Sequence, residues 1–263
     1  MLRITDARTG EPAEIHRALT RVHAQVPGDD ASALRVLLVA DVLARALELG
    51  GSPVLLVADP PAGLRVRADD LGIRPSEATG TRGGKRVLHV IGSGEPAGGD
   101  HGHGDGDGDG SELVPSDTDT DTDTDTDTDT DIGSGVTVEV APVTETGETA
   151  ATGAALRLAL LSHSRRTPVT LDAAALAEAA RALDHWRKAV AAWATRPSKP
   201  IPESARQALR DAWEDDLDVR AVLDVLRDVE GARDMPDGAR FETYAYADRL
   251  LGLELTREIG ASA

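Results

Sequence analysis

The chain has 263 residues and no cysteine, which excludes disulfide bonds, thiolate nucleophiles and zinc sites built on cysteine. Hydrophobic residues make up 40% of it but aromatic residues only 2%, so a core has to be built from Leu, Val and Ala. Residues 100–131 hold 12 Asp, one Glu and no Lys or Arg; subtracting these 13 charges from the formal net charge of −18 leaves −5, which predicts neither an acidic surface function nor the basic stripe that binds DNA.

The N-terminal residues predict strands and a cytoplasmic location. Residues 1–6 contain no apolar signal-peptide segment, and the chain has no run of about 18 apolar residues that could cross a bilayer. We therefore expect a cytoplasmic protein with no membrane partner. Residues 2–6 predict a short strand. Residues 14–26 fit a helix or a strand, and we favour a strand near residues 19–26.

A buried helix and a strand form the next unit. Residues 29–32 are Asp, Asp, Ala and Ser, whose side-chain oxygens suit a helix N-cap. Residues 33–49 are apolar on most sides, which predicts a buried helix, and the glycine pair at residues 50–51 predicts its end. Residues 53–58 form a continuous apolar run, typical of a strand covered on both faces in a parallel sheet.

Three further elements complete an α/β pattern. Residues 64–74 predict a short helix and residues 86–91 a strand. Residues 136–141 alternate strictly between apolar and polar side chains, which predicts a strand with one exposed face. Because strands alternate with helices, we expect an α/β domain with a Rossmann-like parallel sheet over residues 1–153.

A low-complexity acidic insert separates the last two of these strands. It contains HGHGDGDGDG and an unbroken Asp-Thr alternation from Asp117 to Asp131. Charge repulsion and the lack of apolar side chains predict a disordered insert over residues 97–135. Calcium-binding Gly-Asp repeats are the alternative, but they need a nine-residue period with an apolar residue in each unit. His101 and His103 could bind a metal, although two histidines on such a tract are typical of solvated side chains.

The sequence pattern changes at residues 155–168, ALRLALLSHSRRTP. Apolar residues recur there at helical spacing, and Thr167 and Pro168 then prevent further helix because the residue before proline avoids the α region. Beyond this hinge we expect an all-α helical bundle over residues 154–263. Its further predicted helices cover residues 172–195, 202–214, 218–231 and 241–252.

The hinge carries the pattern L-R-x-x-L-L-S-H-x-R-x-x-P, which resembles the segment joining the nucleotide-binding and helical domains of cysteinyl-tRNA synthetases. Five other segments resemble this class I synthetase family in its order: residues 2–12, 39–45, 70–75, 213–218 and 241–255. The resemblance implies a shortened, divergent paralogue. Members of this family use ATP and tRNA as substrates and a zinc ion to select cysteine, and the resemblance would imply the same for this chain.

The catalytic motifs of the family do not match. The HIGH position, whose histidines stabilise the ATP phosphates in the family, falls on Asp30, Ala31, Ser32 and Ala33. The KMSKS position, whose lysines hold pyrophosphate, falls on Thr149, Ala150, Ala151, Thr152 and Gly153. The first zinc cysteine falls near Arg21. Related cysteine ligases that make mycothiol share these motifs and the zinc, so the same argument excludes their activity.

Several other residues attract attention, each with a plain structural interpretation. His163 ends a predicted helix, where its charged form would favour the negative end of the dipole. Arg165 and Arg166 could contact nucleic acid but are typical of domain-docking hydrogen bonds. Residues 92–94, Gly-Ser-Gly, could approach a phosphate, a weak signal by itself. The remaining candidates are a core stripe with Trp186 and Trp193, and a solvated acidic turn with Glu214, Asp215 and Asp216.

Two functions follow from these observations. The first is a synthetase-like pseudoenzyme without aminoacylation activity, which binds or regulates an unknown protein or small-molecule ligand without zinc or another cofactor. The second is an ATP-dependent aminoacyl-tRNA or amino-acid ligase with a rebuilt, zinc-free site. It would use Arg82, Lys85 or Arg86 for phosphate, and only in this case would tRNA be a partner. The loss of histidines and lysines, which place positive charge at the transition state, favours the first.

We predict that deleting residues 97–133 leaves thermal stability nearly unchanged. No apolar area is lost, and the closure entropy of a long loop changes slowly with its length. Differential scanning calorimetry of the full chain and the deletion variant measures this. A midpoint lowered by about ten degrees, beyond what ~1 kcal/mol causes in a domain of this size, would contradict it.

Overall fold

The computed structural model describes residues 1–26, 28–79, 86–94, 135–146 and 153–260. The predicted acidic insert therefore lies outside the described residues except for Gly135, and so do residues 149–152 of the KMSKS position. The strands are β1 Arg3–Thr5, β2 Pro12–Glu14, β3 Thr20–Ala24, β4 Val54–Val57, β5 Arg86–Gly92, β6 Val136–Val140, β7 Val143–Glu145 and β8 Val169–Leu171. The helices are α1 Ala31–Leu49, α2 Ala62–Asp70, α3 Ala154–Leu161, α4 Ala173–Trp193, α5 Glu203–Glu214, α6 Val219–Gly231 and α7 Asp237–Leu251.

A four-stranded parallel sheet with the order β4-β3-β5-β6 lies at the centre, which confirms the α/β prediction. After β3 the chain passes through α1 to β4 on one side, whereas β5 pairs with β3 on the other side. In open α/β sheets, ligands bind at the carboxyl ends of the strands where the order reverses in this way. A site is therefore expected at the carboxyl ends of β3 and β5, beside the start of α1.

Two strands differ from the sequence prediction in how they are covered. β4 is an edge strand, so Val54, Leu55 and Leu56 are only half-buried instead of covered on both faces. The predicted exposed face of β6 is covered instead, and Thr137 is 2% exposed. The antiparallel β1–β2 hairpin packs there: Asp6 accepts the backbone N–H of Thr137 at 3.1 Å. Sequence alternation shows which residues share a face, but the neighbouring elements decide whether that face is buried.

Helix α1 is the central helix, as its apolar composition predicts. It packs against β3, β4 and β5 and also against α7. Leu34, Val42 and Leu43 are fully buried, and 15 of its 19 residues belong to the interior. No helix that the structure describes is both long and apolar enough to cross a bilayer.

The C-terminal part is a helical bundle. Helix α3 packs on α4, α5 on α6, and α7 on α4 and α6. Trp186 is 4% exposed and Trp193 is partly buried, and the rings of both pack against Tyr244, which confirms the predicted core stripe. The buried Tyr244 hydroxyl donates to the carbonyl of Leu226 at 2.8 Å. Helix α7 begins at Asp237, four residues earlier than predicted.

The prediction that only helices follow the hinge is wrong at β8. Val169–Leu171 is a three-residue strand that pairs in parallel with β7, with Val143 opposite Val169. Pro168 keeps this stretch out of the helical region, and the N–H of Val169 donates to the carbonyl of Pro142 at 3.0 Å. Strand β8 therefore continues the α/β architecture past the hinge.

A buried ion pair between α1 and α3 joins the two parts. Asp41 and Arg157 are both fully buried, and Nη2 of Arg157 donates to Oδ2 of Asp41 at 2.7 Å. Arg45 donates to the same oxygen at 2.9 Å, and Arg74 donates to Oδ1 at 2.9 Å. One carboxylate thus holds three guanidinium groups.

Arg157 also holds α2 and α7. Its Nε donates to the carbonyl of Leu251 at 2.5 Å, and its Nη1 donates to the carbonyl of Leu71 at 3.2 Å. Burial by itself raises the pKa of Asp41, but Arg157 and Arg45 outweigh it and hold that pKa below the ordinary 3.8. The carboxylate therefore remains charged in the interior.

We predict that Asp41→Asn lowers the free energy of unfolding by about 3–5 kcal/mol, because it leaves a buried guanidinium without its counter-ion. Since folding lowers the Asp41 pKa, its stabilisation is present above pH 3.8 and is lost as pH falls through the lower folded-state value. Urea unfolding at pH 7 and in acid measures both effects.

The matched control is Asp224→Asn, which removes an exposed ion pair with Arg227. It should cost less than about 1 kcal/mol. Equal losses in the two variants would contradict a special role for the buried pair.

Candidate functional site

The N-terminus of α1 lies at the edge where a site is expected, and it carries the degenerate HIGH position. Asp30 is the N-cap, as the sequence predicts: its Oδ1 accepts the backbone N–H of Ala33 at 2.8 Å. Its own carbonyl accepts the N–H of Leu34 at 3.1 Å. Free N–H groups and the helix dipole make such a terminus attractive to phosphate. Here the carboxylate of the chain itself occupies that position.

The other residues of this motif position also have structural roles. Ser32 Oγ accepts the backbone N–H of Val143 at 3.0 Å and lies 3.3 Å from the carbonyl of the same residue, to which it donates. This contact ties α1 to β7. Ala31 and Ala33 are both 4% exposed and belong to the interior. None of these four side chains can supply positive charge.

Of the KMSKS position, only Gly153 lies within the described residues. It is the N-cap of α3 with φ of 66° and ψ of −144°, a conformation that favours glycine. It borders a cavity of about 530 Å³. The charged lining residues are Asp69, Asp70, Asp184, Glu254, Glu258, Arg187 and Arg257. Five carboxylates against two guanidinium groups make this cavity unfavourable for phosphates.

Arg21, where the resemblance places the first zinc cysteine, provides no metal ligand. Its guanidinium Nη2 donates to the carbonyl of Thr79 at 2.7 Å. Zinc sites of this type need thiolate and imidazole ligands in fixed geometry, and the sequence has no thiolate. Within the described ranges, no three His, Asp or Glu side chains group closely enough to bind a metal ion. The residues therefore do not fit the family's zinc.

The structure brings together two histidines that are 66 positions apart in the sequence. His23 on β3 lies directly opposite His89 on β5, and their ring centroids are 5.6 Å apart in an edge-on arrangement. Gly135 packs against His89: a Cβ at residue 135 would lie 2.8 Å from Cδ2 of His89. The pair lies on the sheet face opposite to Val22 and Leu88, which are fully buried.

This histidine pair has unsatisfied hydrogen-bonding atoms. Both ring nitrogens of His89 and Nε of Arg21 are buried without a hydrogen-bond partner among the described residues. Burial lowers the pKa of both histidines; nearby Arg21 lowers that of His23 further, and His23 lowers that of His89. Neutral imidazoles beside a guanidinium group can donate and accept hydrogen bonds to a polar or anionic group.

The sequence contains part of the signal for this pair. His23 and His89 lie inside predicted strands, at positions where both side chains point to the same face if the two strands are neighbours. The strand order β4-β3-β5-β6, which makes them neighbours, is a property of the tertiary structure.

The acidic turn at the end of α5 is only partly solvated, because all three carboxylates also have partners at the N-terminus of the chain. Glu214 pairs with the amino group of Met1, and Asp215 lies 3.1 Å from Arg3. Asp216 accepts the backbone N–H of Thr5 at 2.8 Å. The turn therefore fixes the N-terminal strand to the bundle.

Arg165 makes docking contacts, which confirms the plain interpretation. It pairs with Asp216 and donates to the carbonyl of Glu139 on β6 at 2.9 Å. Arg166 lies 3.8 Å from Asp216. His163 follows the C-cap of α3, as predicted, but partial burial and the cations Arg35 and Arg220 lower its pKa and so disfavour its charged form.

Of the three phosphate residues of the alternative function, Arg82 and Lys85 lie outside the described residues. Arg86 begins β5, at the edge opposite to the carboxyl ends, and donates to the carbonyl of His16 at 3.1 Å. Ser93, in the Gly-Ser-Gly segment, is bound through its N–H to the carbonyl of Val140 at 2.8 Å. His101 and His103 also lie outside the described residues.

No family model matches the chain. Two curated proteins are similar to part of it. L-cysteine:1D-myo-inositol 2-amino-2-deoxy-alpha-D-glucopyranoside ligase of Streptomyces griseus subsp. griseus is 39% identical over 108 residues. The ligase of the same name from Streptomyces avermitilis is 37% identical over 108 residues. Both alignments cover 39% of this chain and 25% of the relative, so the chain spans about a quarter of their length.

The chain is therefore related, over part of its length, to cysteine ligases. This supports the predicted relation to the cysteinyl-tRNA synthetase family, whose motifs these ligases resemble. Because the chain has no cysteine and no lysine at the KMSKS position, we predict that it lacks the activity of these ligases.

We predict that the pKa of His89 lies below 6.5 and rises towards it in His23→Gln, because one lowering influence is removed. Exposed His16 provides the control: His16→Gln should leave the pKa of His89 unchanged. Since folding lowers the His89 pKa, its contribution to stability is present above pH 6.5 and is lost as pH falls through the lower folded-state value. NMR titration of the ring protons measures the pKa, and a value of His89 that does not respond to His23→Gln would contradict the contact.

Proposed function

We propose that the protein is a ligase-related binding or regulatory module that does not activate an amino acid. The observation that carries the proposal is the cap of α1. The carboxylate of Asp30 accepts the N–H of Ala33, so the helix N-terminus at the carboxyl edge of the sheet is already filled by a negative charge. ATP phosphates brought there would meet repulsion instead of the positive charge that phosphoryl and nucleotidyl transfer require.

A second feature supports the same proposal. The cavity beside Gly153 lies next to the KMSKS position. Most of the charged residues that line it are carboxylates. Two of these, Asp69 and Asp70, end α2 on one side, and Glu254 and Glu258 lie on the other. Pyrophosphate would be poorly bound between them.

The chemistry of cysteine selection points in the same direction. Zinc binds a substrate thiolate, and the chain has no cysteine with which to hold zinc. Without the metal, discrimination between cysteine and serine depends on one weakly polar group, which is worth only about 1–3 kcal/mol. The names of the relatives include L-cysteine; this chain lacks the usual means of recognising it.

The residues that remain from the resemblance are those that hold the fold. Asp41, Arg74 and Arg157 lie in three of the matching segments and meet in one buried cluster. A binding module needs the shape of the scaffold without its reactive charges. We therefore expect a protein or a small molecule as the ligand and no zinc.

One observation favours the alternative, an ATP-dependent ligase with a rebuilt, zinc-free site. His23 and His89 place two neutral imidazoles near the switch point of the sheet, and both ring nitrogens of His89 lack partners among the described residues. Imidazoles with lowered pKa values are common in catalytic sites. In that case tRNA or an amino acid would be the substrate.

We predict that the purified full chain shows no cysteine-dependent ATP–pyrophosphate exchange and contains no stoichiometric zinc. Exchange is assayed with each amino acid, and zinc is measured by inductively coupled plasma mass spectrometry. Exchange with cysteine, or zinc at one equivalent, would contradict the proposal.

Two cap variants decide whether any exchange comes from this site. Asp30→Ala removes the cap of α1, and Asp172→Ala removes the equivalent cap of α4, where the carboxylate accepts the N–H of Ala175 at 2.7 Å. Each should cost about 1 kcal/mol of stability. Activity that is lost in Asp30→Ala and kept in Asp172→Ala would identify a working ligase.

A further inference from the structure

A second polar cavity lies at the C-terminal end of α3, against the first turns of α6. Its volume is about 410 Å³, within the range of small-molecule sites. The polar side chains lining it are Ser162, His163, Ser164, Thr167, Arg220, Arg227 and one carboxylate, Asp224. We call this the hinge cavity. It belongs neither to the N-terminus of α1 nor to the histidine pair, so it is independent of the proposed function.

A buried cation without a counter-ion lies behind the wall of the hinge cavity. Arg35 is 1% exposed. Its guanidinium donates to the carbonyls of Ala141 and Thr167, both at 2.8 Å, and of Ser164 at 2.7 Å. No carboxylate pairs with it in the described part of the chain. Burial lowers the pKa of Arg35 to about 10, well above neutral pH, so it remains charged.

The contacts of Arg35 also arrange the wall. Because the carbonyls of Ser164 and Thr167 point to Arg35, the hinge turn is held in one conformation. The Ser162 hydroxyl donates to the carbonyl of Leu158 at 2.8 Å. The hydroxyl groups of Ser164 and Thr167 donate no hydrogen bond within the described residues. Two hydroxyl donors therefore remain for a ligand.

The opposite side of the hinge cavity adds an exposed, unpaired cation. The guanidinium group of Arg220 makes no hydrogen bond or ion pair with any residue that the structure describes. Arg227 is neutralised locally by Asp224 at 2.5 Å. His163 is the remaining titratable group; partial burial, Arg35 and Arg220 lower its pKa. The balance of charge is therefore positive, with Arg220 in front and Arg35 behind.

We propose that the hinge cavity binds the phosphoryl group of a small phosphate monoester. A phosphate dianion accepts several hydrogen bonds at once, which matches the hydroxyls of Ser164 and Thr167 and the guanidinium group of Arg220. The phosphate would also provide a negative charge near Arg35, which has no counter-ion among the described residues. His163 donates one further hydrogen bond, and its protonated form becomes more favourable once the anion is bound.

Titration of the full chain with inorganic phosphate and with glycerol 3-phosphate, at constant ionic strength set by chloride, tests the proposal. The ring-proton resonances of His163 report binding in NMR spectra, and its pKa should rise when either probe is bound. Arg220→Ala should raise the apparent Kd by about tenfold or more, because it removes a charged hydrogen-bond donor. Arg220→Lys should keep part of the affinity, since the charge remains.

Arg210→Ala is the matched control, because Arg210 is an exposed arginine on α5 away from the hinge cavity. It should bind both probes as the wild type does. Tighter binding of glycerol 3-phosphate than of inorganic phosphate identifies an ester as the better ligand, whereas equal binding assigns the site to the phosphoryl group alone. Equal weakening in Arg220→Ala and Arg210→Ala, or a His163 pKa that neither probe changes, overturns the proposal.

Discussion

The buried contact between Asp41 and Arg157 is the interaction on which the rest of the structure depends. It joins the helix that covers the sheet to the helix that opens the bundle. Arg157 also donates hydrogen bonds to the carbonyls of Leu71 and Leu251, at the C-terminal ends of two further helices. A charge in the interior is costly unless it is paired, so each of these elements has to take its place for the others to be stable. The sheet and the bundle therefore form one packed unit around this cluster.

This cluster also explains what kind of resemblance the chain shows. Four of the matching segments contribute to it: residues 39–45 supply Asp41, residues 70–75 supply Arg74, the hinge supplies Arg157, and residues 241–255 supply a backbone carbonyl. At the HIGH position, Asp30 instead caps a helix and Ser32 contacts a neighbouring strand. The segments that resemble the synthetase family thus supply residues that hold the fold.

The candidate sites differ in how far they could be predicted. Asp30 as a cap follows from local sequence, because a cap needs only a short acidic side chain before an apolar run. The acidic turn near Asp216 looked solvated, because its partners come from the other end of the chain. The hinge cavity combines a buried arginine of α1 with an exposed arginine of α6, and no local pattern links Arg35 to Arg220.

The sequence by itself determined the type of most elements, most of their bounds and the capping residues Asp30 and Asp172, since these depend on neighbours within a few positions. The tertiary structure alone decided the strand order that places His23 beside His89, the cover over β6, and the pairing of β8 with β7. These features arise from contacts between residues far apart in the chain. Which face of an element is buried depends on what packs against it, and hydrophobic periodicity cannot specify that partner.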